Sequence, residues 1–253
     1  MKLIFTELKK IRRRHIGLLY TGSLLIIIAW SLWAMSRMEN RNQVITQQGF
    51  YYLLVNYPLM NAIFLPAIIA CVESRLCDIE LKGNTLKLLY TMQPRHSIYH
   101  IKLFISILYL TAFMIMETAL IFLLCSFFHV KQFPPTDHLL LFFLSNVVVG
   151  IVIVIIQQTL SLLSDNQLFP LFLGVGGTFA GIFSGFFPEL PIRYLLPWGY
   201  YCVFPTVNPY YEEATRTVTY YTEPFNYKLF IGFIIFGIIA YLIGKNQFMK
   251  KEV

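Results

Sequence analysis

The chain has 253 residues, of which 57% are hydrophobic, 17% aromatic and only 13% charged, with a mean hydropathy of +0.63. That charged share is about half that of an ordinary soluble domain, which excludes a water-soluble fold; at about 20 residues per crossing the length accommodates roughly six membrane spans and no large soluble domain. The formal charge of +7 reads as topogenic rather than as a nucleic-acid surface, because membrane chains retain Lys and Arg on their cytoplasmic side.

In chain order, residues 1–15 form a basic segment with Leu3, Ile4, Leu8 and Ile11 at near-helical spacing. It suits a helix lying on an anionic membrane surface and equally a plain positive-inside anchor. The apolar run from Gly17 to Met35 is too long for a signal-peptide core and lacks an A-x-A-like cleavage site, so it is expected to be an uncleaved first span, with Trp30 and Trp33 at its far interface. Span two is expected over Tyr51–Val72, kinked by Pro58 and Pro66. Span three is expected over Leu103–Phe128, with Glu117 near its middle. Span four covers Leu139–Leu163, where length favours a helix over a strand despite the Val and Ile content. Span five covers Leu168–Phe187, its Gly177, Gly181 and Gly185 four apart on one face. Residues 188–228 form an aromatic, proline-rich loop, and span six runs from Leu229 to Gly244. With the N-terminus inside, most of the 20 basic residues fall on the inner side, and an even number of spans returns the C-terminal lysines there.

The one long charged passage between apolar segments is 73–102, which that orientation places in the cytoplasm. Within it the apolar positions 81, 85/86, 88/89 and 92 suit a short amphipathic helix ended by Pro94. Such a helix offers one face to a soluble partner and one to the bundle, although a topogenic loop with incidental helicity has the same pattern. Glu117 is costly in mid-membrane. It fits either a functional carboxyl facing a cavity or a structural hydrogen bond between spans. The span-five glycines suit close helix packing, within the bundle or at a seam with a second copy.

The order Glu73, Asp78, Glu80, Gly83-Asn84-Thr85, Lys87-Leu88-Leu89, Pro94-Arg95, Ile98-Tyr99 and Lys102-Leu103 resembles the coupling-helix region of ABC-2-type transporter permeases. With Leu196-Pro197-Trp198-Gly199-Tyr200, it is most similar to the lantibiotic-immunity permease subunits. The resemblance implies a single all-α transmembrane domain over 1–253, with six helices, cytoplasmic termini and interfacial or re-entrant segments before span six. It implies a multi-pass subunit of a bacterial plasma-membrane exporter that expels a lantibiotic or similar peptide, or another ABC-2 substrate. It places the ATPase-coupling role on Glu80, Leu81, Gly83, Thr85, Lys87, Leu88, Tyr90 and Arg95, with Glu73 as a flanking contact.

The chain has no phosphate loop of the Gly-x4-Gly-Lys-Ser/Thr type. The implied partners are therefore a separate dimeric P-loop ATPase carrying ATP and Mg, a second permease, paralogous or identical, and an amphipathic peptide or lipid-like substrate. In the outer loop, Trp198, Tyr200, Tyr201, Glu212 and Glu213 are the candidates to meet a cationic amphipathic substrate; the same aromatics also suit an anchoring belt. An intramembrane enzyme is disfavoured. Ser184-Gly185 lacks the Gly-x-Ser-Gly spacing, span six has no His to activate a serine, and no HExxH or acid–His cluster occurs. Secondary transport would want matching broken halves, and the halves show no convincing self-similarity.

Overall fold

The computed structural model describes residues 14–39, 44–81, 91, 93–130, 136–187, 191–213 and 217–251. Among these, six helices carry the fold: α1 (Ile16–Glu39), α2 (Val44–Leu81), α3 (Arg95–Phe127), α4 (Thr136–Leu163), α5 (Leu168–Gly185) and α6 (Tyr227–Lys250). All six are long and apolar enough to cross a bilayer. In hydrocarbon every backbone N–H and C=O must be satisfied within the segment, so an apolar run of this length folds as a helix.

The bundle is built around α2 and α4, whose spanning windows are 61% and 56% buried, against 17% for α6. α2 continues as one helix through Pro58 and Pro66, although each proline deprives the carbonyl four residues earlier of its helical donor. The core is continuous, from Tyr20 and Ile27 of α1 through Leu53, Tyr57 and Leu65 of α2 to Phe113 of α3 and Val149 and Ile153 of α4. Exposed Leu, Ile and Phe side chains on α1, α3, α5 and α6, such as Leu123, Phe172 and Ile238, form the outward surface expected of a bundle that lies in lipid.

Several expected boundaries move: α2 starts at Val44 rather than Tyr51, and α6 ends at Lys250 rather than Gly244. α2 runs past Val72 to Leu81 and α3 starts at Arg95 rather than Leu103. Glu73 and Lys102, read from their charge as cytoplasmic, are therefore buried inside helices, at 0% and 2% exposure.

The connection between α5 and α6 folds as two three-ten turns, Pro191–Tyr194 and Pro197–Cys202, then a two-stranded antiparallel hairpin, β1 (Val207–Glu212) and β2 (Thr217–Thr222). The hairpin, with Val207 opposite Thr222 and Glu212 opposite Thr217, is an element that the all-α expectation omitted. Pro197–Cys202 folds back onto α5, α2 and α4.

At the opposite end of the bundle, the chain segments that precede α1, end α2, begin α3, join α4 to α5 and end α6 meet. Arg75 donates to the Arg14 carbonyl at 3.2 Å, Arg14 lies 3.9 Å from Asp78, and Arg95 donates to the Met249 and Lys251 carbonyls at 2.8 and 2.9 Å. Lys251 in turn donates to the Leu162 and Leu163 carbonyls at 3.2 and 3.1 Å and to Asp165 at 3.0 Å. A cation on the last carbonyls of a helix satisfies orphan acceptors and complements the helix dipole. Arg95 thus caps α6 while Lys251 caps α4.

Candidate functional site

Mid-bundle, three polar side chains from three helices converge. Asn61 of α2 donates through Nδ2 to Glu117 Oε2 of α3 at 2.9 Å and to Asn146 Oδ1 of α4 at 3.1 Å. Asn146 is held for this by its own amide, which donates one turn back to the Phe142 carbonyl at 2.8 Å. All three are buried, Asn61 and Glu117 at 0% exposure and Asn146 at 4%. One turn from Asn61, the Tyr57 hydroxyl accepts from Ser31 of α1 at 3.3 Å, so the polar seam crosses four helices.

The seam is not saturated. Glu117 Oε1, Asn61 Oδ1 and the Tyr201 hydroxyl are buried without a hydrogen-bond partner among the described residues. Tyr201 descends from the three-ten turn and its hydroxyl lies beside Gly150 of α4, where an added Cβ would come within 3.2 Å of it. Beside Asn146 and Tyr201 a cavity of about 10 Å³ remains, close to the minimum volume that holds one water. Buried polar atoms in this state are expensive, and intramembrane carboxyls characteristically mark pathways or moving contacts.

A second buried group lies where α2 and α3 approach the 82–92 connection. Lys102 donates to the Leu76 carbonyl at 2.6 Å, and Glu73 has Lys102 and the Ser106 hydroxyl as its electrostatic neighbours. Of the positions that the resemblance assigned to ATPase coupling, Glu80 and Leu81 are the last residues of α2, and Gly83, Thr85, Lys87, Leu88 and Tyr90 lie outside the described residues. Arg95 is engaged with the end of α6. Glu73, at 0% exposure, cannot be the flanking surface contact it was expected to be.

At the other end the glycine face of α5 is a seat for the Pro197–Cys202 turn. A Cβ on Gly177 would come within 2.5 Å of the Trp198 ring, one on Gly181 within 2.7 Å of the Gly199 nitrogen, and one on Gly185 within 3.3 Å of Cys202. Backbone-to-backbone approach at Gly181 requires the absence of a side chain there. Lower on α5, Gly174 would clash with Ala70 and Gln157; oriented to satisfy both groups, the Gln157 amide donates to the Pro170 carbonyl and accepts from the Gly174 N–H at 3.1 and 3.2 Å. Gln157 thus splices the first turns of α5 onto α4.

Two of the outer-loop candidates are corrected. Tyr200 and Tyr201 are 7% and 2% exposed; Tyr200 stacks on Phe233 with ring centroids 4.0 Å apart and donates to the Tyr194 carbonyl at 2.8 Å. Burial pushes the hydroxyl pKa of both upward, and both act as core rather than as an outward-facing surface. Trp198 is half-buried on the α5 glycines, whereas Glu212 and Glu213 are exposed where β1 ends. The exposed aromatics are those of the hairpin, Tyr210, Tyr211 and Tyr221.

Six apolar helices joined by buried polar contacts define a multi-pass membrane protein. The family model described as ABC-2 family transporter protein matches residues 3–181, and the chain belongs to that family: it is the membrane permease of an ABC transporter, a transport component rather than a catalytic one, and the family implies an ABC ATPase partner. The match ends within α5, at the glycine that seats the three-ten turn, so the three-ten turns, the hairpin and α6 lie beyond it. No curated protein and no solved structure matches the chain.

Proposed function

We propose that this permease belongs to an ATP-driven exporter that protects its cell from a lantibiotic or similar cationic amphipathic peptide. The observation that carries the coupling half of this reading is the position of the buried polar groups. α2 and α3, the two helices that flank the 82–92 connection, also hold Glu73 and Lys102 beside it and the Asn61–Glu117 contact in mid-membrane. A displacement imposed on the connection is then delivered along both helices to the unsaturated seam rather than lost in a soft loop. In this reading Glu80–Tyr90 seats on the ATPase, which binds ATP and Mg, and the end bearing Arg14, Arg75, Arg95 and Lys251 is cytoplasmic in accord with the positive-inside rule. A second permease, identical or paralogous, completes the transporter.

The peptide half rests on the resemblance and on the opposite end of the molecule. There the exposed tyrosines of the hairpin stand beside Glu212, Glu213 and Glu223, which suits a cationic, amphipathic substrate arriving from outside. The test is expression of the chain with its ATPase in a lantibiotic-sensitive host. The reading expects a several-fold rise in the inhibitory concentration that disappears when the ATPase is inactive; unchanged sensitivity across nisin-like and epidermin-like peptides would refute the substrate assignment.

A further inference from the structure

Between the first three-ten turn and the start of α6 a cleft of about 330 Å³ opens on the outward surface. This is the size of a small-ligand site. Its walls are apolar, formed by Leu195, Pro197, Leu229, Phe233 and Phe236, and its mouth carries Lys228. Gly232 forms part of one wall, and nothing lies within 4 Å of where its Cβ would be: the missing side chain is part of the space. The neighbouring Arg193 lies over the ring of the lining residue Tyr194, 4.7 Å from its centroid, and hydrogen-bonds to its hydroxyl. The first turn of α6 has no acidic residue, and no acid pairs with Lys228 among the described residues.

An apolar slot on a lipid-facing helix, with the cation Lys228 in its lining where α6 begins, matches one occupant in charge and shape. We propose that this cleft binds an anionic phospholipid, with an acyl chain against Gly232, Phe233 and Phe236 and its phosphate at Lys228. A zwitterionic lipid brings the same chain but a headgroup with its own cation, which Lys228 repels. The occupant would brace the three-ten turns against α6, the least buried helix of the bundle.

The experiment is native mass spectrometry of the full-length chain purified in mild detergent and offered equimolar phosphatidylglycerol and phosphatidylcholine. The expected result is one phosphatidylglycerol retained per chain, at least about fivefold over phosphatidylcholine. Lys228→Glu should bring that preference to about unity, and Gly232→Phe, whose Cβ meets nothing within 4 Å and whose ring would occupy the slot, should remove the tightly retained lipid of either kind. Equal retention of the two lipids by the natural chain, or undiminished preference in Lys228→Glu, would overturn the proposal. Lys228 is exposed, so its variant decides the matter even if Gly232→Phe purifies poorly.

Discussion

Asn61→Leu is the sharpest perturbation of the polar seam. Leucine has the same branched heavy-atom skeleton as asparagine and is somewhat bulkier, so no cavity forms, but both bonds from the Asn61 amide, to Glu117 at 2.9 Å and Asn146 at 3.1 Å, are lost. Interhelical hydrogen bonds in membranes are worth about 0.6 kcal/mol on average and up to about 1.7 kcal/mol. Two of them give about 1–3 kcal/mol, with the upper end favoured because Glu117 already has one unpartnered oxygen and would then have two. The assay is reversible unfolding in mixed micelles, run as a cycle of Asn61→Leu, Glu117→Leu and the double variant. The double variant removes the stranded carboxyl, so it should be more stable than the sum of the single losses by about 0.5–1.5 kcal/mol. Additivity within about 0.3 kcal/mol would refute the claim that these two residues act on one another. Glu117→Gln keeps an oxygen to accept from Asn61 and should leave stability within about 1 kcal/mol of the natural chain; a loss of export in that variant would then report on the carboxyl itself.

Other parts of the structure give independent expectations. Gly181→Ala places a Cβ 2.7 Å from the Gly199 backbone nitrogen and should cost about 1–3 kcal/mol by overpacking, while Gly176→Ala, with nothing within 4 Å, should be neutral or stabilising by up to about 1 kcal/mol; equal effects in a thermal melt would refute the seat assigned to the glycine face. Lys251→Ala uncaps α4 and should weaken that end by about 0.5–1 kcal/mol, seen as faster hydrogen exchange at residues 164–168, and unchanged exchange there would count against the cap. Burial pushes the Cys202 thiol up to about 11, so it stays protonated at neutral pH and its thiolate fraction grows about tenfold per pH unit until that value. Maleimide labelling of Cys202 at pH 7.5 should therefore be on the order of 100-fold slower than in the detergent-unfolded chain, a claim that equal rates would sink.

The number and order of the spans were legible because twenty-residue apolar runs have one solution in lipid. Their boundaries were not legible at Glu73 and Lys102: a hydropathy reading assigns charge to water, whereas these groups are buried in the extensions of α2 and α3. Glu117 stood out in the sequence, but its partners did not. Asn61 and Asn146 lie 56 and 29 positions away, and helix packing brings them together with no local spacing that announces it. The glycine face of α5 was visible as a packing surface, yet its occupant, the Trp198–Gly199 turn, is a contact between segments that only the fold reveals. The hairpin had a readable signal in the β-branched and aromatic run Thr217-Val218-Thr219-Tyr220-Tyr221-Thr222, masked by the many prolines and tyrosines that suggested an interfacial belt.

In the proposed mechanism, energy arrives from a separate ATPase through the connection between α2 and α3. Affinity purification of the tagged full-length chain from its native host, with mass spectrometry of the bound proteins, tests this. The account predicts co-purification of a P-loop ATPase, together with a second permease if the transporter is heterodimeric, and loss of the ATPase when Leu81 and Leu88 are replaced by Asp while membrane insertion persists. Recovery of the chain with no ATPase, or undiminished ATPase binding by the Asp variant, would contradict it.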